Sequence, residues 1–176
     1  MLCFELEQPT DAADIETLLD TVFGPDRLSK SSYALRENNP PLPELSVLVR
    51  FGDELVASIR FSKTHIAGSK GAISRFLLLG PLAVKPELHG QGVGKQLIEH
   101  SLKSAANMGM NNILLVGDES YYGRFGFVPA MPNSIRMLGD KVAERLLLRM
   151  PRQMGNAGKV GEAQSIPHGD LLPGWP

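Results

Sequence analysis

The residues best placed to do chemistry are His89-Gly90-Gln91-Gly92-Val93-Gly94-Lys95, which stand immediately before the clearest helical pattern in the chain. Glycines at such a junction let backbone approach a ligand closely. The first-turn N–H groups of a helix have no internal acceptor and point outward with the positive end of the dipole behind them. A phosphate or pyrophosphate is the ligand such a turn suits. Spacing excludes two familiar phosphate motifs: a P-loop needs Ser or Thr after the lysine, where Gln96 stands, and a dinucleotide fingerprint begun at Gly92 needs a third glycine where Leu97 stands. A tight turn without a ligand is the competing reading of these glycines. His65 and His100 have no partner at ligand spacing and read as surface or hydrogen-bonded structural residues.

The elements that must position this turn follow from periodicity. Leu2 to Glu7 alternates apolar and polar residues, as a half-buried first strand does. Thr10 is the expected N-cap of a helix carrying Ile15, Leu18, Leu19 and Val22 on one face and stopped by Gly24-Pro25. A second helix is expected from Asp26 to about Asn38, ahead of Pro40, Pro41 and Pro43. Glu44–Phe51 and Leu55–Phe61 read as an antiparallel hairpin, and Ser74–Val84 as a third strand broken or splayed at Gly80-Pro81. Gly92 to about Met108 is an amphipathic helix with an expected Glu99–Lys103 pair and Gly109 as its C-cap. Ile113–Val116 is a short apolar run buried on both faces. Strand, helix and strand in that order imply a parallel pair. Arg145–Met150 reads as one more strand, and Pro151–Pro176 as a Gly/Pro-rich tail, extended or irregularly packed.

Leu82-Ala83-Val84-Lys85-Pro86-Glu87-Leu88 followed by His89 to Lys95 and the amphipathic helix resembles the acetyl-CoA-binding segment of the GCN5-related N-acetyltransferases. Tyr121-Tyr122-Gly123-Arg124-Phe125-Gly126-Phe127 resembles the second signature of that family, a Tyr four residues before a Gly-Phe pair. The resemblance implies an α/β fold with a mixed, splayed central sheet. It also implies that acetyl-CoA is held by Leu82, Ala83, Val84 and by His89, Gly90, Gln91, Gly92, Val93, Gly94 and Lys95. Backbone of Leu82 and Val84 would pair with the pantetheine arm as an added strand, and the turn would hold the pyrophosphate. The family usually has Gln or Arg at the first turn position, where this chain has His89. Tyr122 stands where many relatives donate a proton to the departing thiolate. A phenol suits that task, being protonated at neutral pH. The base is not readable. Asp118 and Glu119 are the acidic residues nearest Tyr122 in sequence and could take the amine proton or cap the next helix, while Glu37 and Glu44 could attract a cationic amine.

Composition bounds the rest. The chain has 176 residues, Lys+Arg 18 against Asp+Glu 19, a net charge of -1 and 43% hydrophobic residues. This fits one domain, 1–150, followed by the tail 151–176, and leaves no cation excess for nucleic acid. No stretch is apolar enough for a membrane span or signal peptide, and the single cysteine, Cys3, allows neither an intrachain disulfide nor a multi-thiolate metal site. A cytoplasmic location is expected, and the resemblance implies an acetyltransferase. It would use acetyl-CoA and no metal, act on a small-molecule or peptide amine by direct attack, and pair as a possible homodimer. With no cysteine in the motif region, a covalent acyl-enzyme is not expected. The alternatives are a non-catalytic acyl-CoA-binding or sensing module, and a transferase for a longer acyl chain or a hydroxyl acceptor.

Overall fold

The computed structural model describes residues 2–29, 31–68, 71–130, 135–136, 145–151 and 169–176. Strand β1 (Leu2–Leu6) pairs antiparallel with β2 (Val47–Phe51), β2 with β3 (Glu54–Ala67), and β3 with β4 (Ile73–Val84). Helix α1 (Ala12–Phe23) and the one-turn α2 (Ser31–Ala34) lie in the β1–β2 connection. Helix α3 (Val93–Asn107) then carries the chain from β4 to β5 (Ile113–Val116), and these two strands are parallel, as the strand–helix–strand order requires. After one-turn α4 (Glu119–Tyr122) come the short β6 (Val128–Pro129) and β7 (Ile135–Arg136), then β8 (Leu146–Arg149) and β9 (Gly169–Pro173). The main path of the sheet runs β1-β2-β3-β4-β5-β8-β6.

Alternation along the central strands explains why both sheet faces are covered. Leu77, Leu79, Ile113, Leu115 and Leu147 join a core beneath Val93, Leu97, Ile98, Leu102 and Ala105 of α3. Phe76, Leu78, Leu114, Leu146 and Leu148 point the other way into a second cluster. Further along that face, Ile15, Leu18 and Leu19 of α1 close over Leu48, Leu55 and Ala83.

Three expectations are corrected. Thr10 is not the N-cap of α1, because Pro9 begins a 3-10 turn over Pro9–Asp11 and leaves Thr10 inside it; the Gln8 N–H instead donates to the Asp11 carboxylate at 2.8 Å. No continuous helix fills Asp26 to Asn38. A 3-10 turn, Pro25–Ser29, is followed by α2, and Asn38 takes φ +53 where the chain reverses. Glu99 reaches back to Lys95 at 3.8 Å rather than forward to Lys103. The last residues take the extended, packed alternative of the expected tail: β9 pairs antiparallel with Thr64–Ala67 of β3, and residues 152–168 lie outside the described residues.

Position β9 could not be read from its own pattern because it is held largely from outside itself. The Thr64 hydroxyl donates to the Leu172 carbonyl at 2.6 Å, and the Trp175 indole N–H is shared by the Thr64 and Phe76 carbonyls, 3.0 Å from each. Lys63 and Arg75 stand over the Trp175 ring at 5.2 and 5.9 Å. Removing this anchor should cost the protein about 2 kcal/mol. Urea denaturation of Trp175→Ala should show a lower midpoint, whereas an unchanged midpoint would mean that β9 adds no tertiary stability.

Candidate active site

The central feature is where sheet pairing stops. β4 and β5 pair only at Leu77–Ile113 and Leu78–Leu114, and beyond them β4 continues alone to Val84. On its other edge β4 stays bound to β3, but Ile59 faces Leu82 while Phe61 faces Leu79, so Gly80-Pro81 is bulged out opposite Arg60. The strand is not broken there, as the dipeptide alone suggested it could be. It bulges and bends away from β5. The Lys85 N–H bonds to the Val56 carbonyl at 2.9 Å, so alternation turns the backbone of Lys85 and Ala83 toward β3. Leu82 and Val84 direct their N–H and C=O into the gap.

The gap opens into a cleft of about 880 Å³. Of the residues singled out in sequence, Leu82, Val84, His89, Gly90, Gly92, Val93, Gly94, Lys95 and Tyr122 line it. Ala83 and Gln91 do not: the Ala83 methyl is buried under α1, and the Gln91 amide turns back to donate to the Glu87 carbonyl at 2.9 Å.

At one end of the cleft the glycine turn forms a backbone cradle. Gly90 and Gly92 take φ +78 and +81, values that a side chain rarely tolerates. The first bond into the helix runs from the Gln96 N–H to the Gly92 carbonyl at 3.0 Å. Among the described residues, the N–H groups of Gly92, Val93, Gly94 and Lys95 meet no protein acceptor. Four outward donors at a 15-residue helix suit an anion of pyrophosphate chemistry. The His89 side chain does not extend into the cradle. Its Nε2 lies 2.8 Å from the Val84 carbonyl oxygen, tying the turn to the end of β4.

The opposite wall is α4. The Asp118 carbonyl accepts the N–H groups of both Tyr121 and Tyr122 at 3.0 Å, which fixes the two rings edge to face with centroids 5.0 Å apart. Burial, then the neighbouring Tyr121 and Asp118, pushes the Tyr122 hydroxyl up to about 12, against the pull of Arg145. That phenol is therefore protonated at any physiological pH. Tyr121 leans its hydroxyl on the backbone of Gly94, where an added Cβ would lie 3.1 Å away, and Arg124 stands over its ring at 5.1 Å. Asp118 is among the residues lining the cleft, its exposed carboxylate pairing with Arg145 at 3.0 Å, whereas Glu119, Glu37 and Glu44 lie outside the lining. His65 and His100 are structural, the first bonded to the Gly174 carbonyl at 2.9 Å and the second packed on Phe4.

The model for the acetyltransferase (GNAT) family matches residues 12–127. The chain belongs to that family. This GNAT is 32% identical over 126 residues to an uncharacterized N-acetyltransferase, YjhQ of Escherichia coli K12, covering 72% of this chain and 69% of that one. Its fold is similar to that of E. coli YhbS, solved in complex with CoA, with TM-score 0.74, 23% identity and 98% and 89% of the two chains covered. It is also similar to a GNAT family acetyltransferase from Brucella melitensis, solved in complex with acetyl-CoA, with TM-score 0.65, 24% identity and coverage of 98% and 95%. The mixed α/β sheet expected from the motifs is thus the family's fold. Among the described residues, no helix of this GNAT is long and apolar enough to cross a membrane.

Two residues of the site escaped sequence reasoning. Arg36 lies in the segment expected to be a plain helix, and only its position against β4 reveals it. Gly117 carries no signal of its own in the sequence, yet a Cβ there would sit 2.4 Å from Tyr122 Cε2 and 2.7 Å from Cδ2. Gly117 therefore gives the Tyr122 ring its space. Gly117→Ala must displace the ring, at a cost of about 1–3 kcal/mol. The expected outcome is a folded protein with a lower melting temperature and altered Tyr122 ring resonances; unshifted resonances in the variant would show that the contact does not fix the ring.

Proposed function

We propose that this GNAT binds acetyl-CoA along the β4–β5 gap and transfers the acetyl group to a primary amine by direct attack in a ternary complex. The observation that carries the reading is one cleft holding three things in order: a backbone cradle for diphosphate, a strand edge of β4 that β5 leaves open at Leu82 and at the Val84 N–H, and a half-buried protonated phenol at Tyr122. The CoA and acetyl-CoA complexes of the fold relatives support the same ligand.

In this mechanism the N–H groups from Gly92 to Lys95 take the pyrophosphate, with the Lys95 ammonium nearby. Leu82 and Val84 pair with the amide-bearing arm as an added strand, and a strand amide meets the oxyanion as the amine nitrogen attacks the thioester carbonyl. The amine proton leaves to Asp118 through water, Asp118 being the acidic residue among those described along the cleft. The C–S bond breaks and the sulfur takes the Tyr122 proton, releasing CoA and the N-acetyl product. The raised Tyr122 value keeps the phenol protonated across the physiological range, so its proton is in place when the C–S bond breaks. Lys95 and the cradle stand at the cofactor end, so the acceptor enters from the α1–α2 side.

Acetyl-CoA should raise the melting temperature of the wild type and not that of Gly92→Asp, which places a carboxylate in the anion cradle. Tyr122→Phe should keep the shift while lowering kcat about 100-fold with acetyl-CoA KM little changed. Because Tyr122 ionises only near pH 12, wild-type kcat should show no alkaline fall belonging to this group below about pH 10. No melting shift at millimolar acetyl-CoA would overturn the cofactor assignment. A shift with full activity in Tyr122→Phe would overturn the acid assignment alone.

A further inference from the structure

The acceptor end of the cleft holds a cation that the cofactor does not need. Arg36 follows α2 and lies against the β4 bulge, its Nε donating to the Gly80 carbonyl at 3.1 Å and its Nη1 to the Ser32 carbonyl at 2.5 Å. Both bonds go to neutral backbone oxygens. Among the described residues Arg36 has no carboxylate partner, and its Nη2 makes no hydrogen bond while standing at the cleft wall beside Gly80. The contrast with its neighbour is sharp. Arg27, across the Tyr33 ring, is bound by Glu16 at 2.5 Å and Asp20 at 2.8 Å. Glu16 is shared further with Arg60 at 3.2 Å, so the nearby acids of α1 are already engaged. Burial pulls Arg36 down to about 10, which leaves it charged at neutral pH in a desolvated setting.

A half-buried cation held by backbone oxygens and the face of the Tyr33 ring, with free donors turned into a cleft, is costly unless an anion completes it. That anion is not the cofactor diphosphate, whose cradle lies at the far end of β4, past Val84. We infer that Arg36 binds a carboxylate of the acceptor, so that the substrate class is an amine that also carries a carboxylate, as an amino acid does. This inference rests on the acetyltransferase reading above. The guanidinium is tied down through Nε and Nη1, so its plane is set before the substrate arrives. The donors left on Nη2 and Nη1 can then grip both carboxylate oxygens, and holding that group next to Gly80-Pro81 places the amine over the start of the slot that Leu82 opens.

The test uses the full chain and matched acceptor sets, each an amino acid, its amide and its decarboxylated amine, with L-phenylalanine, L-lysine and β-alanine as parents. Thiol release and product mass are read for wild type, Arg36→Met and Arg36→Lys, and acetyl-CoA melting shifts are taken for all three proteins. The wild type should prefer the free-carboxylate member of at least one set. Arg36→Met should reduce that preference by about 10- to 100-fold, Arg36→Lys should restore part of it, and the acetyl-CoA shift should persist. A strut that merely held α2 on the bulge would lower every member of a set equally, and that result overturns the assignment. So does a wild type in which no carboxylate-bearing acceptor outperforms its matched amine. Loss of the acetyl-CoA shift in the wild type would instead strike the cofactor reading and is separately visible.

Discussion

Two backbone pairs between β4 and β5, and no more, set the conditions for everything else in this protein. A strand inside a sheet normally satisfies its N–H and C=O groups on both edges, and leaving them open forgoes roughly 1 kcal/mol for each hydrogen bond not made. β4 tolerates this because it is anchored elsewhere. Its other edge is laddered to β3 from Ile73 to Val84, and its side chains alternate between two apolar clusters. The bulge at Gly80-Pro81 bends the free stretch away while the β3 pairing resumes at Leu82. The open edge is thus a gap of fixed width in a rigid sheet, and a linear molecule bearing amides can complete it.

The helix that follows β4 makes the same gap electrostatically directional. α3 packs Val93, Leu97 and Ile98 into the core under the sheet, which fixes the line of its axis and aims its free first-turn donors at one end of the opening. β5 leads directly into Gly117 and α4, which turn Tyr121 and Tyr122 onto the facing wall. One divergence of strands therefore brings together groups that lie some 40 residues apart in sequence.

Most of this arrangement was legible because each part carries a local signature. The α3 stripe, the apolar Ile113–Val116 run, the glycines of the cradle and the Tyr-to-Gly-Phe spacing are short-range patterns, and the structure places all but Ala83 and Gln91 of the expected site residues on the cleft. Parity explains Ala83: adjacent strand residues face opposite edges, and only Leu82 and Val84 have the correct phase. What was not legible depends on distant partners. β9 is a strand because Thr64, Lys63 and Arg75 receive it, the segment after Gly24 coils irregularly because Arg27 and Asn39 are drawn inward to α1 and β3, and Arg36 matters through a carbonyl 44 residues away. None of these leaves a periodicity in its own stretch of chain.

The account stands on the open edge of β4 being the place where the cofactor arm binds. Residue-resolved amide hydrogen exchange with and without saturating CoA examines that edge directly. The amides of Leu82 and Val84 should slow by about tenfold or more on binding, while those of Ala83 and Lys85, already facing β3, change far less. Bound CoA with Leu82 and Val84 exchanging as in the free protein would contradict the account, since the arm would then lie elsewhere than in the gap the sheet leaves for it.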